Sequence, residues 1–405
     1  VPVYRRADFF LLGIALGLSL FGLAMIASVS VYQSYQLTSR FVEAGTLVAP
    51  SNAFYLWRSF RHMIVALLAL CVTAVIPYHF WQKHARSLFL LNLALLVMLF
   101  IPGLGNDYGT ARSWLQFGFF TLQPSEFLKI TLVFYLAVWL QKKETLISTF
   151  QEGFIPFVVL LCLSTVLVAM QPDLGSFMIF SFTASVMFFV AGGNIIHLFM
   201  GGAAAGLLGL PIILNQEYVR NRFTVFLHVL FHPDDQTYRE GIGFQIYQAL
   251  IAIGSGGLFG VGYGKSIQKY GYLPEVQSDT IFAAMAEELG FLRLLIVLGL
   301  YGILVYRGLR IARHAPDRFG LLVATGITTV ICVQTLLNIC VNLSLLPITG
   351  VTLPFISYGG SSLVSTLASV GILLNISMHS SQEDRAVRRS ARKTQLGVLQ
   401  RFIHS

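Results

Sequence analysis

Tyr272-Leu273-Pro274-Glu275-Val276-Gln277-Ser278-Asp279 closes a polar interval that runs from Asn215 to Ser278, and an apolar stretch over residues 280–306 begins directly after it. A bilayer core about 30 Å thick needs about 20 residues of helix per crossing, so the second stretch reads as a membrane span and the first as a structured loop at its mouth. The rest of the chain agrees. Of 405 residues, 56% are hydrophobic and 11% charged, with a mean hydropathy of +0.73, which excludes a water-soluble domain of this length. Only helices or closed barrels satisfy the backbone in lipid, and the apolar runs are too long and continuous for the alternating strands of a barrel. The expected fold is all-α: a polytopic integral membrane protein, one domain over 1–405.

Ten spans are expected, near 8–31, 57–77, 86–102, 124–141, 154–170, 175–191, 194–213, 280–306, 319–341 and 353–376. With a cytoplasmic N-terminus, the inner side receives Arg5, Arg6, Lys83, Arg86, Lys142, Lys143, Arg307, Arg310, Arg313, Arg318 and a basic tail over 380–405. The positive-inside rule then places both termini in the cytoplasm and a large extracytoplasmic loop at 214–279. The net charge of +9 is spread among these loops, a topology and lipid-headgroup signal and not a nucleic-acid footprint. The first run is too long for a signal-peptide core and is read as a retained span. Cys71, Cys162, Cys332 and Cys340 fall inside spans and read as packing residues. His228 and His232 have metal-pair spacing on a helix, but no third ligand is near in sequence.

Asp279 stands at a lipid boundary, where lost hydration raises a carboxyl pKa toward the range of a usable base. Helix capping is the competing reading, because Asp is a favoured N-cap residue. Loop 103–123 carries Arg112 and Trp114, a cation and an indole suited to the headgroup level. Gln171-Pro172-Asp173-Leu174-Gly175 reads as a tight turn with Asp173 at the surface. Residues 218–227 and 241–253 read as amphipathic segments that lie in or dip into the membrane. The glycine-rich stretch 254–266 ends like a phosphate loop, but Phe259 stands where the required glycine would be, and nucleotide binding is rejected. It reads either as a turn packed against helices or as a wrap around a lipid-linked phosphate near Lys265. Glu126 and Lys129 sit three apart and can pair within a span. Glu287 and Glu288 are assigned to packing or to lining a polar cavity.

Several strings resemble the SEDS family (shape, elongation, division and sporulation): Gln123-Pro124-Ser125-Glu126-Phe127-Leu128-Lys129, Gln171-Pro172-Asp173-Leu174-Gly175, Gly243-Phe244-Gln245, Tyr272-Leu273-Pro274-Glu275, Ala286-Glu287-Glu288-Leu289-Gly290, and Leu353-Pro354-Phe355-Ile356-Ser357-Tyr358-Gly359-Gly360-Ser361-Ser362. The resemblance runs from the first to the last expected helix, closer to the septal than to the elongation member. It implies a peptidoglycan glycosyltransferase of the bacterial inner membrane, at the division septum, that polymerises lipid II beside a class B penicillin-binding transpeptidase and other divisome or elongasome proteins. The family's essential aspartate falls on Asp279. Thr280 replaces a common Phe, and Cys340 and Ser344 replace common glycines.

On that basis Asp279 is expected to act as general base on the acceptor sugar, with inversion at the donor's anomeric carbon. Arg112 and Lys265 are expected on the donor diphosphate, with Arg58, Arg61, Arg220 and Arg222 in reserve and Trp114 beside the substrate. A divalent cation (Mg2+ or Mn2+) can share that charge; the sequence has no dedicated metal cage, and no nucleotide or haem is expected. Two other classes stay open. A lipid II flippase would fit the charges within spans, although no pair of interrupted helices in corresponding halves is visible. A non-catalytic divisome scaffold is the third.

Overall fold

The computed structural model describes residues 7–101, 105–108, 111–117, 120–171, 173–214, 217–231, 241 and 243–379. Arg5, Arg6, His232 and the basic tail 380–405 lie outside them. Helices occupy every stretch expected to cross the membrane: α1 (Phe9–Val29), α3 (Phe54–Val75), α4 (Tyr78–Met98), α5 (Pro124–Lys142), α6 (Ile155–Ala169), α7 (Leu174–Val190), α8 (Ile195–Leu214), α11 (Ile281–Arg313), α12 (Arg318–Asn342) and α13 (Gly360–His379). Among the described residues, six helical segments are long and apolar enough to span a bilayer. Others in the expected set are shorter, as α7 is, or more polar, as α4 is with Gln82, Lys83, His84 and Arg86 in one turn. Large apolar side chains such as Leu20, Leu68, Leu163, Phe182 and Ile296 point out of the bundle, as lipid-facing surfaces require. Cys71 and Cys162 lie on this exposed surface and not in the packing where they were expected.

Three boundaries differ from expectation by seven residues or more, one being the end of α11 at Arg313 and not at 306. Helix α4 starts at Tyr78, not at 86, because Pro77 supplies an N-terminal stop that the hydropathy of the following polar turn conceals. The last helix starts at Gly360, not at 353, since residues 350–359 form an irregular segment tucked into the bundle with Phe355 and Ile356 buried.

Three elements were not expected. Helix α2 (Val31–Glu43) continues from α1 as a short amphipathic helix. Residues expected only to be interfacial form a three-stranded antiparallel sheet, β1 (Gly105–Tyr108), β2 (Ala111–Phe117) and β3 (Phe120–Leu122), in the order β1-β2-β3. Leu115 pairs with both Gly105 and Leu122 and is buried, which seats the sheet. A π turn over Phe150–Phe154 opens α6.

The polar interval holds α9 (Glu217–Phe231), which covers the first stretch read as amphipathic, and α10 (Phe244–Gly256), which overlaps the second. Helix α11 is broken at Gly290, which has φ 74° and ψ 173°. The break frees backbone groups, and the glycine-rich loop meets them. Val261 and Gly262 donate their N–H groups to Glu287 O and Glu288 O at 3.0 and 3.1 Å, and Phe291 and Leu292 donate to Gly257 O and Leu258 O at 2.9 and 3.1 Å. Irregular backbone at this depth is stable only when its hydrogen bonds close within the protein.

Helix α12 packs against α5, α7, α10 and α11. Asp317 caps it, accepting from Gly320 N at 2.7 Å. Gln334, Asn338 and Asn342 recur every four residues along it, so they form one buried polar stripe inside the bundle.

Candidate active site at the start of α11

Four aspartates stand at the beginnings of helices, and three of them cap. Asp8, Asp173 and Asp317 each accept from the backbone N–H three residues on, at 3.0, 2.9 and 2.7 Å. Asp279 does not. The cap position of α11 is Thr280, which makes no side-chain cap bond and sends its hydroxyl to Pro274 O at 2.7 Å. The capping reading of Asp279 is therefore overturned by local geometry.

Among the described residues one side chain donates to the carboxylate of Asp279: its Oδ2 accepts from Gln245 Nε2 of α10 at 3.3 Å. Its Oδ1 is buried and has no partner in hydrogen-bond geometry among the described residues. Desolvation, followed by the negative charge of Glu275, raises its pKa from 3.8 to about 6, against smaller opposing effects of its own backbone N–H, the Gln245 hydrogen bond and the Arg222 charge. Glu275 sits in the left-handed region at φ 48°, unusual for a residue with a side chain. At neutral pH such a carboxyl is mostly ionised yet still basic enough to take a proton.

Asp279's backbone is held by α12 and by the irregular segment before α13. Its carbonyl accepts from Asn338 Nδ2 and Asn342 Nδ2 at 2.8 and 2.9 Å. Ser357 Oγ donates to Ser278 O at 2.6 Å, and Tyr358 N donates to Gln277 O at 2.8 Å. Asn338 also donates to Val351 O at 2.7 Å, and Gln334 donates to Thr352 O at 3.0 Å.

Farther along the same stripe, Lys129 Nζ lies 2.8 Å from both Glu126 Oε1 and Gln334 Oε1, so the expected pair forms, buried, and is tied to α12. Asp173, expected at the surface of a plain turn, has its carboxyl pushed up by burial while it caps α7, and the charges of Lys129 and Glu126 both act on it. Glu287 and Glu288 are buried and bind the loop: Glu287 accepts from Ser266 Oγ and Ile267 N at 2.5 and 2.9 Å, and Glu288 pairs with Lys269 at 3.2 Å and accepts from Ser28. Lys265 is exposed beside this loop. Arg112 and Trp114 lie on β2, and Arg58 and Arg61 in the first two turns of α3. Arg222 donates to Ile348 O at 2.7 Å.

The family model of FtsW, RodA and SpoVE, described as cell cycle protein, matches residues 9–382. The chain belongs to the SEDS family. Among its relatives, stage V sporulation protein E of Bacillus subtilis (strain 168) is 39% identical over 376 residues, covering 92% of this chain and 97% of that protein. A probable peptidoglycan glycosyltransferase FtsW of Trichlorobacter lovleyi is 36% identical, covering 91% of this chain and 93% of its own length. The crystal structure of the rod shape determining protein RodA of Thermus thermophilus superposes with a TM-score of 0.65 at 26% identity, over 93% of this chain and 98% of that one. A chain from a peptidoglycan synthase complex, described as coordinating polymerization and crosslinking, shares the fold at a TM-score of 0.73 and 24% identity, over 94% of this chain and 100% of its own.

Within this SEDS bundle, sequence reasoning missed Gln245, Asn338, Asn342 and Lys269 as parts of the site and its frame. Gln334, Asn338 and Asn342 carry a readable signal, an i, i+4, i+8 polar spacing in an otherwise apolar span. Gln245 gives no such signal, because only the tertiary fold brings α10 beside the start of α11.

Proposed function

We propose that this chain is a peptidoglycan glycosyltransferase that polymerises lipid II at the outer face of the bacterial inner membrane. Both termini lie in the cytoplasm, and the enzyme works at the division septum with a class B penicillin-binding transpeptidase and further divisome or elongasome proteins. One observation carries the reading: Asp279 has a buried carboxylate oxygen with no donor among the described residues, at a helix start where the other aspartates cap.

In the proposed step Asp279 takes the proton of the acceptor's GlcNAc hydroxyl as that oxygen attacks the donor's anomeric carbon. The new C–O bond forms while the bond to the lipid diphosphate breaks on the opposite face, giving inversion. Arg112 and Lys265 hold the departing diphosphate, where fixed cations stabilise charge that develops in the transition state. Arg58, Arg61, Arg220 and Trp114 flank the substrate. Arg222 contributes through its field on Asp279. Among the described residues no three His, Cys, Asp or Glu side chains converge as a metal cage. A Mg2+ or Mn2+ ion would be held by one carboxylate and the substrate's own phosphate oxygens, supplying charge neutralisation for the leaving group.

The test is polymerisation of lipid II by the purified protein with its cognate transpeptidase. Wild type should make glycan strands and Asp279→Asn should not, with folding and partner binding retained. Polymer from Asp279→Asn at wild-type speed would end the assignment of the base. Absence of polymer from wild type, with lipid II scrambling across vesicles, would make the protein a transporter. Growth supported by Asp279→Ala would leave it a scaffold.

A further inference from the structure

The structure assigns Asn338 and Asn342 as positioning residues for the proposed base: their two carboxamides clamp the main-chain carbonyl of Asp279 and thereby keep its carboxylate from capping α11. The inference rests on the role given to Asp279 above. Both asparagines are at most 2% exposed and lie one turn apart on α12. The orientation of each amide follows from its neighbours. Asn338 Nδ2 faces Asp279 O and Val351 O, and Asn342 Nδ2 faces Asp279 O and Asn338 O, at 2.7–2.9 Å. Turning either amide over would set an oxygen against two carbonyl oxygens, so the donor end must point at Asp279.

The consequence concerns the first-turn N–H groups of α11, where Ala283 and Ala284 donate to Thr280 O at 3.1 and 3.4 Å and no side chain caps. Those groups attract any carboxylate that can reach them, and Asp8, Asp173 and Asp317 show the outcome elsewhere in this chain. Capping would consume the acceptor capacity of Asp279 and hold it in its charged, weakly basic form. Two donors on one carbonyl fix the peptide between Asp279 and Thr280, while Ser357 and Tyr358 fix the two residues before it. The side chain is left accepting from Gln245 of α10, with the charges of Glu275 in the preceding turn and Arg222 of α9 acting on it. Neither asparagine is placed by the mechanism in contact with substrate; each acts through the position of Asp279.

The experiment uses Asn342→Leu and the double variant Asn338→Leu/Asn342→Leu, each purified with the cognate transpeptidase. Two quantities are read: kcat and KM for lipid II polymerisation against pH, and the infrared titration of the carboxyl band that Asp279→Asn removes. The expected result for the double variant is a fall in kcat of about 100-fold with KM unchanged, the loss typical of a catalytic group displaced by about 1 Å. The carboxyl band should titrate at lower pH than in wild type, because backbone N–H donors favour the charged form. Asn342→Leu, which keeps the Asn338 bond, should move both quantities part of the way and serves where the double variant does not fold. A wild-type titration and wild-type kcat in Asn342→Leu would overturn the clamp, as would a raised KM with kcat intact. The infrared reading needs no turnover, so an active Asp279→Asn would remove the base assignment while leaving the clamp separately measurable.

Discussion

Gly260 and Gly290 meet backbone to backbone: a Cβ built on Gly290 would lie 2.1 Å from Gly260 N, and one on Gly260 would lie 2.3 Å from Glu288 O. Both residues also have positive φ, at 76° and 74°. The glycine-rich stretch is therefore a plug for the break in α11, and the amides of Val261 and Gly262 are committed to that break.

Gly290→Ala should destabilise the protein by about 3 kcal/mol or more, since strain at positive φ and overpacking against backbone add. Thermal unfolding in detergent checks this. A variant that melts with wild type would mean that the loop and the break are not tightly docked.

Lys129→Met leaves Glu126 buried without its cation and should cost about 3–5 kcal/mol. Replacing both, as Glu126→Leu/Lys129→Met, should cost clearly less, because the unpaired charge is gone. Chemical or thermal denaturation of the two variants side by side decides whether the pair acts through charge compensation.

Asp279 links stability to pH. Its folded pKa of about 6 lies above the ordinary 3.8, so the folded state holds the proton more tightly than the unfolded chain. Stability associated with this group is present below about pH 4 and is lost as pH rises toward 6. Asp279→Asn should therefore raise stability at pH 7.5 by about 1–3 kcal/mol while removing activity. Melting temperatures of the two proteins at pH 4 and 7.5 test the sign: the gap should be larger at the higher pH.

Glu275→Gln removes a like charge from beside Asp279. The base then becomes more acidic, and the acid limb of polymerisation, expected near pH 6 in wild type, should move to lower pH. A limb that stays in place would show that desolvation alone sets it.

Much of this molecule is readable along the chain. Runs such as Phe9–Val29 announce helices in a bilayer, because backbone polar groups have no other way to be satisfied there. Glu126 and Lys129 declare their pairing through helical spacing, and Asp279 declares itself by standing where a polar interval meets an apolar run. The sheet holding Arg112 and Trp114 was not visible, since its short strands depend on cross-strand partners that no local pattern names. The start of α13 at Gly360 was equally hidden, because residues 350–359 are as apolar as a helix but spend their backbone bonds on α12 and on the turn before α11.

Sequence by itself determined the membrane helices and the single acid at the mouth of α11, since both follow from local composition and spacing. Only the tertiary structure decided whether that acid would cap its helix or stand free. That choice belongs to Asn338, Asn342 and Gln245, which arrive from other helices; the spacing of the two asparagines marks a buried polar stripe, but nothing along the chain names the carbonyl they hold or brings Gln245 beside it.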